Sequence, residues 1–474
     1  MKMIFKQYIR GRIDREHLNF YLLVLLVVST FFLGGASRND VVSLVLLRPL
    51  TAIVLIYAVI VAGRSAWHRQ WQLIALAILI VSVVALHLVP LPGEIWRLLP
   101  GREAIVANFV AVGQELPWLP ISLTPLAAWN ALFSLMGPFA ALLLILTLPQ
   151  HYLITLLKLV LALGACSALI GLAQILGPPT GPLYLYRITN NGIAVGLFAN
   201  RNHHAVFLAT LFPLMTVWLA RYNLSNQTSG LTLIIIIAIG VFIFPLLLAT
   251  GSRAGLLLGL FALIASTWVY HPVAAQGMLK KADGIVANAK VIAAGVICLG
   301  LAILMMSRTS AFQRLISFDS EEEARIQAFS NIWEATVVFF PIGSGFGSFP
   351  EVYQMFETQE QLSPYYLNHA HNDIIEIAMT GGLPGIILML LSLMYLMCAT
   401  WRLANARPTN VQAAKDTYSF LIVIGRSGIV GLIILALASF VDYPLRIPSI
   451  SILMVIFVAF VVAGWQAKHL GTPS

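Results

Sequence analysis

Long uninterrupted apolar runs constrain this chain more than any other feature. The run "LTLIIIIAIGVFIFPLLLAT" at 231–250 has the length that a helix needs to cross roughly 30 Å of hydrocarbon. Of the 474 residues, 59% are hydrophobic and only 10% are charged, whereas a soluble domain carries about 25% charged residues. The sequence therefore predicts an all-α, polytopic membrane protein.

Windows of high hydrophobicity predict about twelve transmembrane helices. They lie at 18–35, 43–63, 73–90, 127–148, 153–177, 204–220, 231–250, 254–271, 288–306, 384–403, 418–438 and 447–465. One large loop, 307–383, precedes the tenth helix and is short for an independent domain. The predicted organisation is a basic tail at 1–17, nine helices within 18–306, the loop at 307–383, three helices within 384–466, and a tail at 467–474.

The basic residues predict the orientation. If the amino terminus is cytoplasmic, every lysine of the chain lies towards the cytoplasmic side, as the positive-inside bias requires. The first twenty residues are basic but lack the pattern of a signal peptide, so we expect a retained tail. Both termini are then cytoplasmic and the 307–383 loop lies outside. The net charge of +9 is spread over loops and this tail, which indicates no nucleic-acid partner.

The most polar stretch next to an apolar run is "NHAHNDIIEIAMTGGLPGIIL" at 368–388. His371 has the side chain of a general base near neutral pH, and Asp373 or Glu376 would orient it or tune its pKa. On one helix, Asn372 would share a face with Glu376, and His369 with Asp373. The Gly-Gly-x-Pro-Gly sequence that follows predicts a helix end, a turn and a new helix start.

Two alternatives to a catalytic role apply to this stretch. It could be a capped surface helix with incidental histidines. It could also be a metal site of His369, His371 and Asp373, which is weaker because two further ligands at suitable spacing are not apparent. The three cysteines of the chain lie far apart in apolar runs, so they predict neither a disulfide nor a metal framework. We expect no cofactor.

Two arginines fall at predicted helix ends on the outer side. Arg201, followed by Asn202, closes the 178–203 loop, and Arg253 lies in the tight turn "TGSRAG". A guanidinium binds phosphate oxygens in a bidentate way, so the pair would suit a lipid-linked diphosphate. The alternative is that each arginine reaches to lipid headgroups or anchors a loop. Arg325 is a weaker candidate because Glu321–Glu323 precede it on the same helix.

Further charged residues lie near the last helices. In "VDYPLRIPS", Asp442 and Arg446 would either pair with each other, or Asp442 would pair with a site arginine. Arg48 and Arg426 lie within apolar runs, where they would face the bundle interior or snorkel, and we assign them no role.

These motifs resemble those of the O-antigen ligase and Wzy-type polymerase superfamily. Its signature is His, then Asn, Ser or Gln, nine residues, and Gly-x-x-Gly, which here runs from His371 and Asn372 to Gly382 and Gly385. The segment "GLFANRNHHAVFLA" is similar to the family's Phe-x-Asn-x-Asn segment, and "TGSRAGLL" to its Ser-Arg-Gly/Ala segment. One departure is Thr380, where many members carry an acid.

The resemblance implies a GT-C-like membrane glycosyltransferase with a periplasmic active site in a bacterial inner membrane. The reaction would be metal-independent and inverting, with an undecaprenyl-diphosphate-linked glycan as donor and the lipid A–core as acceptor. Arg201 and Arg253 would hold the diphosphate, and His371 would take the proton of the acceptor hydroxyl. Substrate-binding candidates are Asn202, Arg325, Asn372, His369 and Asp442, and the outer tyrosines are weaker candidates for binding sugars: Tyr184, Tyr186, Tyr353, Tyr365 and Tyr366.

Other functions remain open at this point. A polymerase would use a second lipid-linked glycan as acceptor, and the motif does not separate polymerase from ligase. A protein O-glycosyltransferase usually carries an extra carboxy-terminal domain, which is not expected here. A twelve-span transporter fits the span number, but such carriers keep acids at the membrane midplane, and the predicted spans contain none.

Overall fold

The computed structural model describes residues 2–63, 70–224, 230–274, 300, 320–362, 366–405 and 412–467. The amino-terminal half of this part contains α1 Lys2–Leu33, α2 Leu44–Val61, α3 Trp71–Leu86, α4 Gly93–Trp96, α5 Glu103–Ala111, α6 Pro125–Ser134, α7 Met136–Thr147 and α8 Tyr152–Leu176. The remainder contains α9 Arg201–Leu224, α10 Gly230–Ala249, α11 Arg253–Ala274, α12 Ser320–Phe339, α13 Phe349–Gln354, α14 Asp373–Ala404, α15 Gln412–Ala438 and α16 Pro448–Ala467. Two short 3-10 helices lie at Gln359–Gln361 and Pro444–Arg446.

The fold is all-α and polytopic, as predicted. In the described part of the chain, nine helical segments are long and apolar enough to cross a membrane, and one of them is formed by α6 and α7 together. Two shorter apolar helical segments lie at Trp71–Leu86 and Ala238–Ala249. Each of these eleven corresponds to one of the twelve predicted spans. The remaining predicted span, 288–306, lies outside the described residues. The strands of the described part are Pro90–Leu91 and Leu119–Pro120, which pair antiparallel in the loop after α3.

The centre of the bundle is formed by α9, α15 and α16. In the most apolar 18-residue stretch of each helix, 83% of the residues of α9 and 72% of those of α15 and of α16 are buried. The corresponding shares are 22% for α2 and 17% for α14, so these two helices lie at the periphery. Glycines allow the central helices to approach closely. An added Cβ at Gly425 of α15 would lie 2.9 Å from the Cα of Gly464 in α16. Such small-residue contacts are typical of membrane helices, because van der Waals packing rather than the hydrophobic effect brings them together.

The segment between α11 and α14 carries its own hydrophobic cluster. Phe339, Phe349 and Tyr353 are almost fully buried against Ile375 and Met379 at the start of α14. The loop after α3 also packs here, because the buried Arg102 stacks on Phe339 and donates to Ile121 O at 2.7 Å. Two loops that are far apart in sequence thus form one layer over one end of the bundle.

Several helix ends meet beneath this layer, on what we call the site face. The backbone N–H of Ala199 donates to Gly35 O, that of Ser449 to Gly34 O, and that of Asp373 to Ser439 O. Because the loops after α1, α8 and α15 are tied together by backbone hydrogen bonds, the starts of α9, α14 and α16 are brought to the same face.

Helix α14 begins earlier than the predicted tenth span. It starts at Asp373 rather than 384, and it consists of two helical segments separated by a kink at Gly382 (φ 58°, ψ −151°). A Cβ at Gly382 would overlap Pro341 O, so glycine is needed for both the dihedral angle and the contact. The helix end, turn and new start predicted from the glycines are therefore confirmed. The polar segment before the kink is helical, as the predicted helix end at the glycines requires, and it belongs to the same element as the tenth span.

Candidate functional site

His371 occupies an unusual backbone conformation. Its φ is 51°, and in the described part of the chain no other non-glycine residue has a positive φ. This left-handed region costs free energy for a residue with a Cβ, and it persists only when the surroundings impose it. His371 is the last residue but one before α14, and its side chain is 12% exposed, so solvent or a substrate can reach it.

Asp442 binds the imidazole of His371. The Nδ1 atom of His371 lies 3.1 Å from Asp442 Oδ1. Since a carboxylate only accepts hydrogen bonds, Nδ1 carries the proton and the neutral ring has its free lone pair on Nε2. The orienting role suggested from sequence for Asp373 or Glu376 was wrong, and the acid that supports His371 had been left open there because of Thr380. The carboxylate comes instead from the loop between α15 and α16.

The other contacts of Asp442 hold it in place. Its Oδ2 accepts from Asn202 Nδ2 at 3.0 Å, its Oδ1 accepts from the Tyr443 N–H at 3.0 Å, and His203 Nε2 lies 3.7 Å from Oδ1. Burial by itself would raise the pKa of Asp442. Electrostatic attraction to His203 and the hydrogen bond from His371 outweigh burial and hold this pKa well below its ordinary value. Asp442 is therefore an ionised, fully oriented carboxylate.

A second ionic cluster fixes the turn that carries His371. Arg446 Nε lies 3.1 Å from Asp373 Oδ1, and its NH2 group lies 3.1 Å from Glu376 Oε1. Glu376 also binds His369 Nδ1 at 3.0 Å and accepts from the Ala370 N–H at 2.8 Å. Glu376 thus holds the turn just before His371, and Asp373 holds it just after. The positive φ of His371 is imposed from both sides.

This cluster corrects two further sequence predictions. Arg446 pairs with Asp373 and Glu376 of α14, so the suggested pairing of Asp442 with Arg446 was wrong. His369 does not share a helical face with Asp373, because α14 starts only at Asp373. It reaches Glu376 from the preceding turn instead.

Asn372 is the N-cap of α14. Its Oδ1 accepts from the backbone N–H of Ile374 at 3.0 Å and of Ile375 at 3.2 Å, which satisfies two otherwise unpaired donors of the first turn. The alternative of a capped helix is therefore correct for Asn372. Its side chain is committed to the cap, and the substrate-binding role named from sequence has no support in these contacts.

Arg201 and Arg253 are the first residues of α9 and α11. These two helix starts lie side by side. They are so close that a Cβ added to Gly255 of α11 would overlap the Cβ of Ala205 of α9. Asn202, next to Arg201, donates to the same carboxylate that binds His371. The structure therefore brings the Arg201 segment and His371 to one site, with the start of α11 against the same helix.

Tyr443 connects the two networks and was not singled out from the sequence. Its ring centroid lies 5.0 Å from that of His203, 4.2 Å from that of His369 and 4.9 Å from that of His371. The only signal for it was its position directly after Asp442. His203 was likewise missed as a contact of Asp442, although it is two residues from Arg201.

Other candidates fall elsewhere. The side chain of Arg325 and the residue Tyr365 lie outside the described part of the chain. The Tyr184 hydroxyl accepts from the Gly192 N–H, Tyr186 accepts from the Gly35 N–H at 2.6 Å, and Tyr353 is buried. Tyr184 and Tyr186 hold loops together, Tyr353 packs in the hydrophobic cluster of the layer, and Tyr366 is 50% exposed. Within the described residues, no group of three or more His, Cys, Asp or Glu side chains could hold a metal ion.

Part of the chain matches a known protein family. The family model described as O-antigen ligase matches residues 238–390, which include Arg253, His371 and the Gly-x-x-Gly turn. This match confirms the resemblance to the O-antigen ligase and Wzy-type superfamily. No curated protein matches the chain.

Proposed function

We propose that this protein transfers a glycan from an undecaprenyl-diphosphate carrier to a hydroxyl of lipid A–core, at the periplasmic face of a bacterial inner membrane. The observation that carries the proposal is the link His371–Asp442–Asn202, which sets an oriented imidazole beside the segment of Arg201. The family match supports an enzyme of the ligase or polymerase type. The donor, the acceptor and the roles of individual residues are the proposed part.

His371 acts as the general base. Its Nε2 takes the proton of the acceptor hydroxyl while that oxygen forms a bond to the anomeric carbon, and the bond from this carbon to the diphosphate oxygen breaks. Attack from the side opposite the leaving diphosphate inverts the anomeric configuration. Asp442 keeps the imidazole in the tautomer with a free Nε2 and stabilises the imidazolium that forms, as an acid behind a histidine does in other enzymes.

Arg201 and Arg253 bind the diphosphate and stabilise the charge that develops on it. Both are half-buried at the amino-terminal ends of helices, where the helix dipole adds to the positive potential. Fixed cations aimed at the leaving group lower the barrier because they need no reorganisation during the reaction. No metal ion is required in this mechanism, since two guanidinium groups supply the compensating charge.

The proposed sidedness follows from the positive-inside bias. The site face is periplasmic, both termini are cytoplasmic, and the layer formed by the described part of the 307–383 loop covers the site face from outside. Because the donor and the acceptor are both lipids, the site must open towards the bilayer, and a position at helix ends suits this requirement.

A Wzy-type polymerase is the second candidate, because the same residues would serve if the acceptor were another lipid-linked glycan. The transporter alternative is disfavoured by the family match and by the arrangement of the charged groups. Asp442, Asp373 and Glu376 are all bound to histidine or arginine side chains at one end of the bundle, rather than at its middle.

The decisive experiment is a transfer assay with purified protein and a defined undecaprenyl-diphosphate oligosaccharide. One reaction contains lipid A–core, and a parallel reaction contains donor only. Transfer to lipid A–core identifies a ligase, and a ladder of longer lipid-linked chains identifies a polymerase. His371→Ala should abolish either product, and His151→Ala, an exposed histidine at the opposite end of the bundle, should not. Folded protein without transfer to either acceptor would refute the proposal.

A further inference from the structure

A groove runs along the outside of the bundle to the site face. It has a volume of about 340 Å³ and lies between α2, α3, α6, α7, α14 and α16. Its walls are apolar, with Leu47, Ile80, Val84, Phe133 and Ile452 among them. The end of the groove at the site face is polar and is formed by Asn368, His369 and the cluster of Arg446 with Asp373 and Glu376. The groove is therefore amphipathic along its length.

Arg48 lines this groove and is the only charged residue of α2. It lies four residues into the helix, so it sits about 6 Å below the helix start, near the depth of lipid headgroups. Among the described residues, its guanidinium has no carboxylate or carbonyl partner. An arginine in a membrane-spanning helix is costly, so an arginine without a protein partner indicates a ligand or a functional role.

The other arginine named from an apolar run behaves differently. Arg426 is 5% exposed, donates to Trp268 O at 3.0 Å and to Leu403 O at 3.3 Å, and stacks on the Trp268 ring. Its charge is compensated inside the bundle, as the sequence analysis expected for an inward-facing arginine. Arg48 instead faces open space that is large enough for a hydrocarbon chain.

The groove lies next to residues that contact His371. His369 lines the groove, and the Tyr443 ring contacts both His369 and His371. Neither Arg201 nor Arg253 lines it. The groove and the two arginines thus approach His371 from different elements, as required when two separate lipid substrates must meet at one base.

We propose that this groove binds the acceptor, a phosphate-bearing glycolipid, with its hydrocarbon chains along the apolar walls and its phosphate on Arg48. The sugar head would then pass Asn368 and His369 and present its hydroxyl to Nε2 of His371. This inference rests on the proposed transfer reaction. The inference adds a separate acceptor site and a specificity-determining cation to that reaction.

Kinetics test the role of Arg48. At saturating donor, Arg48→Gln should raise the KM for lipid A–core roughly tenfold, with kcat and the donor KM unchanged, because it removes a charge-assisted bond made equally in the ground and transition states. With dephosphorylated lipid A–core, wild type and variant should have the same KM. Arg97→Gln, an exposed arginine outside the groove, is the matched control. An unchanged acceptor KM, or a raised donor KM instead, would overturn the role of Arg48.

Photolabelling tests the groove without requiring transfer. Lipid A–core or an undecaprenyl-diphosphate oligosaccharide, each with a diazirine in a hydrocarbon chain, is irradiated with the full-length protein, and the labelled peptides are identified by mass spectrometry. Label from lipid A–core on residues such as Thr51 should be lost in Ala131→Trp, which fills the groove. It should persist in Val45→Trp, which changes the outer side of α2. Label in the groove from the lipid-linked oligosaccharide alone would assign the groove to the donor and overturn the inference.

The two experiments separate the two proposals. Transfer that depends on His371, together with label that Ala131→Trp does not reduce, refutes the groove and leaves the proposed function intact. Label confined to the groove in folded protein that transfers nothing refutes the function and leaves a glycolipid site. Absence of lipid A–core label from the groove overturns the inference.

Discussion

At the scale of single residues, His371 and Asp442 define the site. The histidine accepts a strained backbone conformation, and the aspartate receives hydrogen bonds from three different parts of the chain, at His371, Asn202 and Tyr443. Strain of this kind is maintained by surrounding contacts. Here Glu376 holds the residue before His371, Asp373 holds the start of the helix after it, and Asn372 caps that helix. The site is therefore organised before any substrate binds.

Asp442→Asn should lower kcat by roughly 10²-fold or more, while the binding of the donor changes little. An asparagine can donate to Nδ1 of His371, and this favours the tautomer that has no free lone pair on Nε2. The measurement is steady-state kinetics together with donor binding. Asp40→Asn, which alters an exposed aspartate paired with Arg38, serves as the control. A kcat within about twofold of wild type would exclude the orienting role.

The depressed pKa of Asp442 predicts how its contribution to stability depends on pH. A carboxyl group with a folded pKa below its unfolded value of about 3.9 stabilises the protein above that value, and this stabilisation is lost as the pH falls through the folded pKa. The difference in Tm between wild type and Asp442→Asn should not decrease between about pH 8 and about pH 5 and should shrink only below about pH 4. A difference that instead disappears between pH 7 and 5 would show that Asp442 is not held ionised.

At the scale of secondary-structure elements, the kink in α14 matters most. The first helical segment presents Asp373 and Glu376 to Arg446, and the second, after Gly382, is apolar and long enough to cross the membrane. The kink is held by the hydrogen bond from the Leu383 N–H to Pro341 O at 2.7 Å. One helix thus joins the turn of His371 to the bundle, and the loop before it fixes the angle.

Gly382→Ala should destabilise the protein by about 1–3 kcal/mol or more, because the added Cβ overlaps Pro341 O and the residue must keep a φ of 58°. Gly113→Ala is the matched control. Its φ is 67° and no atom lies within 4 Å of the added Cβ, so it adds only the conformational cost. The measurement is thermal unfolding of both variants. If the two variants lost equal stability, the contact with Pro341 would not hold the kink.

At the scale of the whole molecule, the helices place nearly all of the site on one face. The residues come from the starts of α9, α11 and α14 and from the loops before α14 and α16, which are far apart in sequence. The central helix α9 carries Asn202 and His203, and the peripheral α2 and α14 line the groove. The bundle therefore separates the two proposed lipid sites while the loop layer covers the face between them.

The orientation of this face can be tested by thiol labelling in cells. In a background without cysteine (C166A, C298A, C398A), an impermeant thiol reagent should label Ile188→Cys, an exposed position on the site face, in intact spheroplasts. Gln150→Cys, at the opposite end of the bundle, should be labelled only after the membrane is permeabilised. The reverse pattern would place the site face in the cytoplasm and contradict the proposed location.

The sequence alone determined the membrane class, the eleven apolar helical segments that the structure describes, the turn in α14 and the candidate residues His371, Arg201 and Arg253. Apolar length and glycine placement are local properties, because every backbone group in lipid must be satisfied within its own helix. Such properties can be interpreted from one segment at a time.

Only the tertiary structure decided which acid contacts His371, which acids bind Arg446, that Tyr443 packs against His371, and that Arg48 and His369 line one groove. Asp442 is 71 residues from His371, and Asn202 is 240 residues from Asp442. Local spacing favoured Asp373 and Glu376, but both carboxylates are bound to Arg446 from another loop. Pairing among buried charges depends on how helices pack in three dimensions, and the order of residues along one helix does not contain that information.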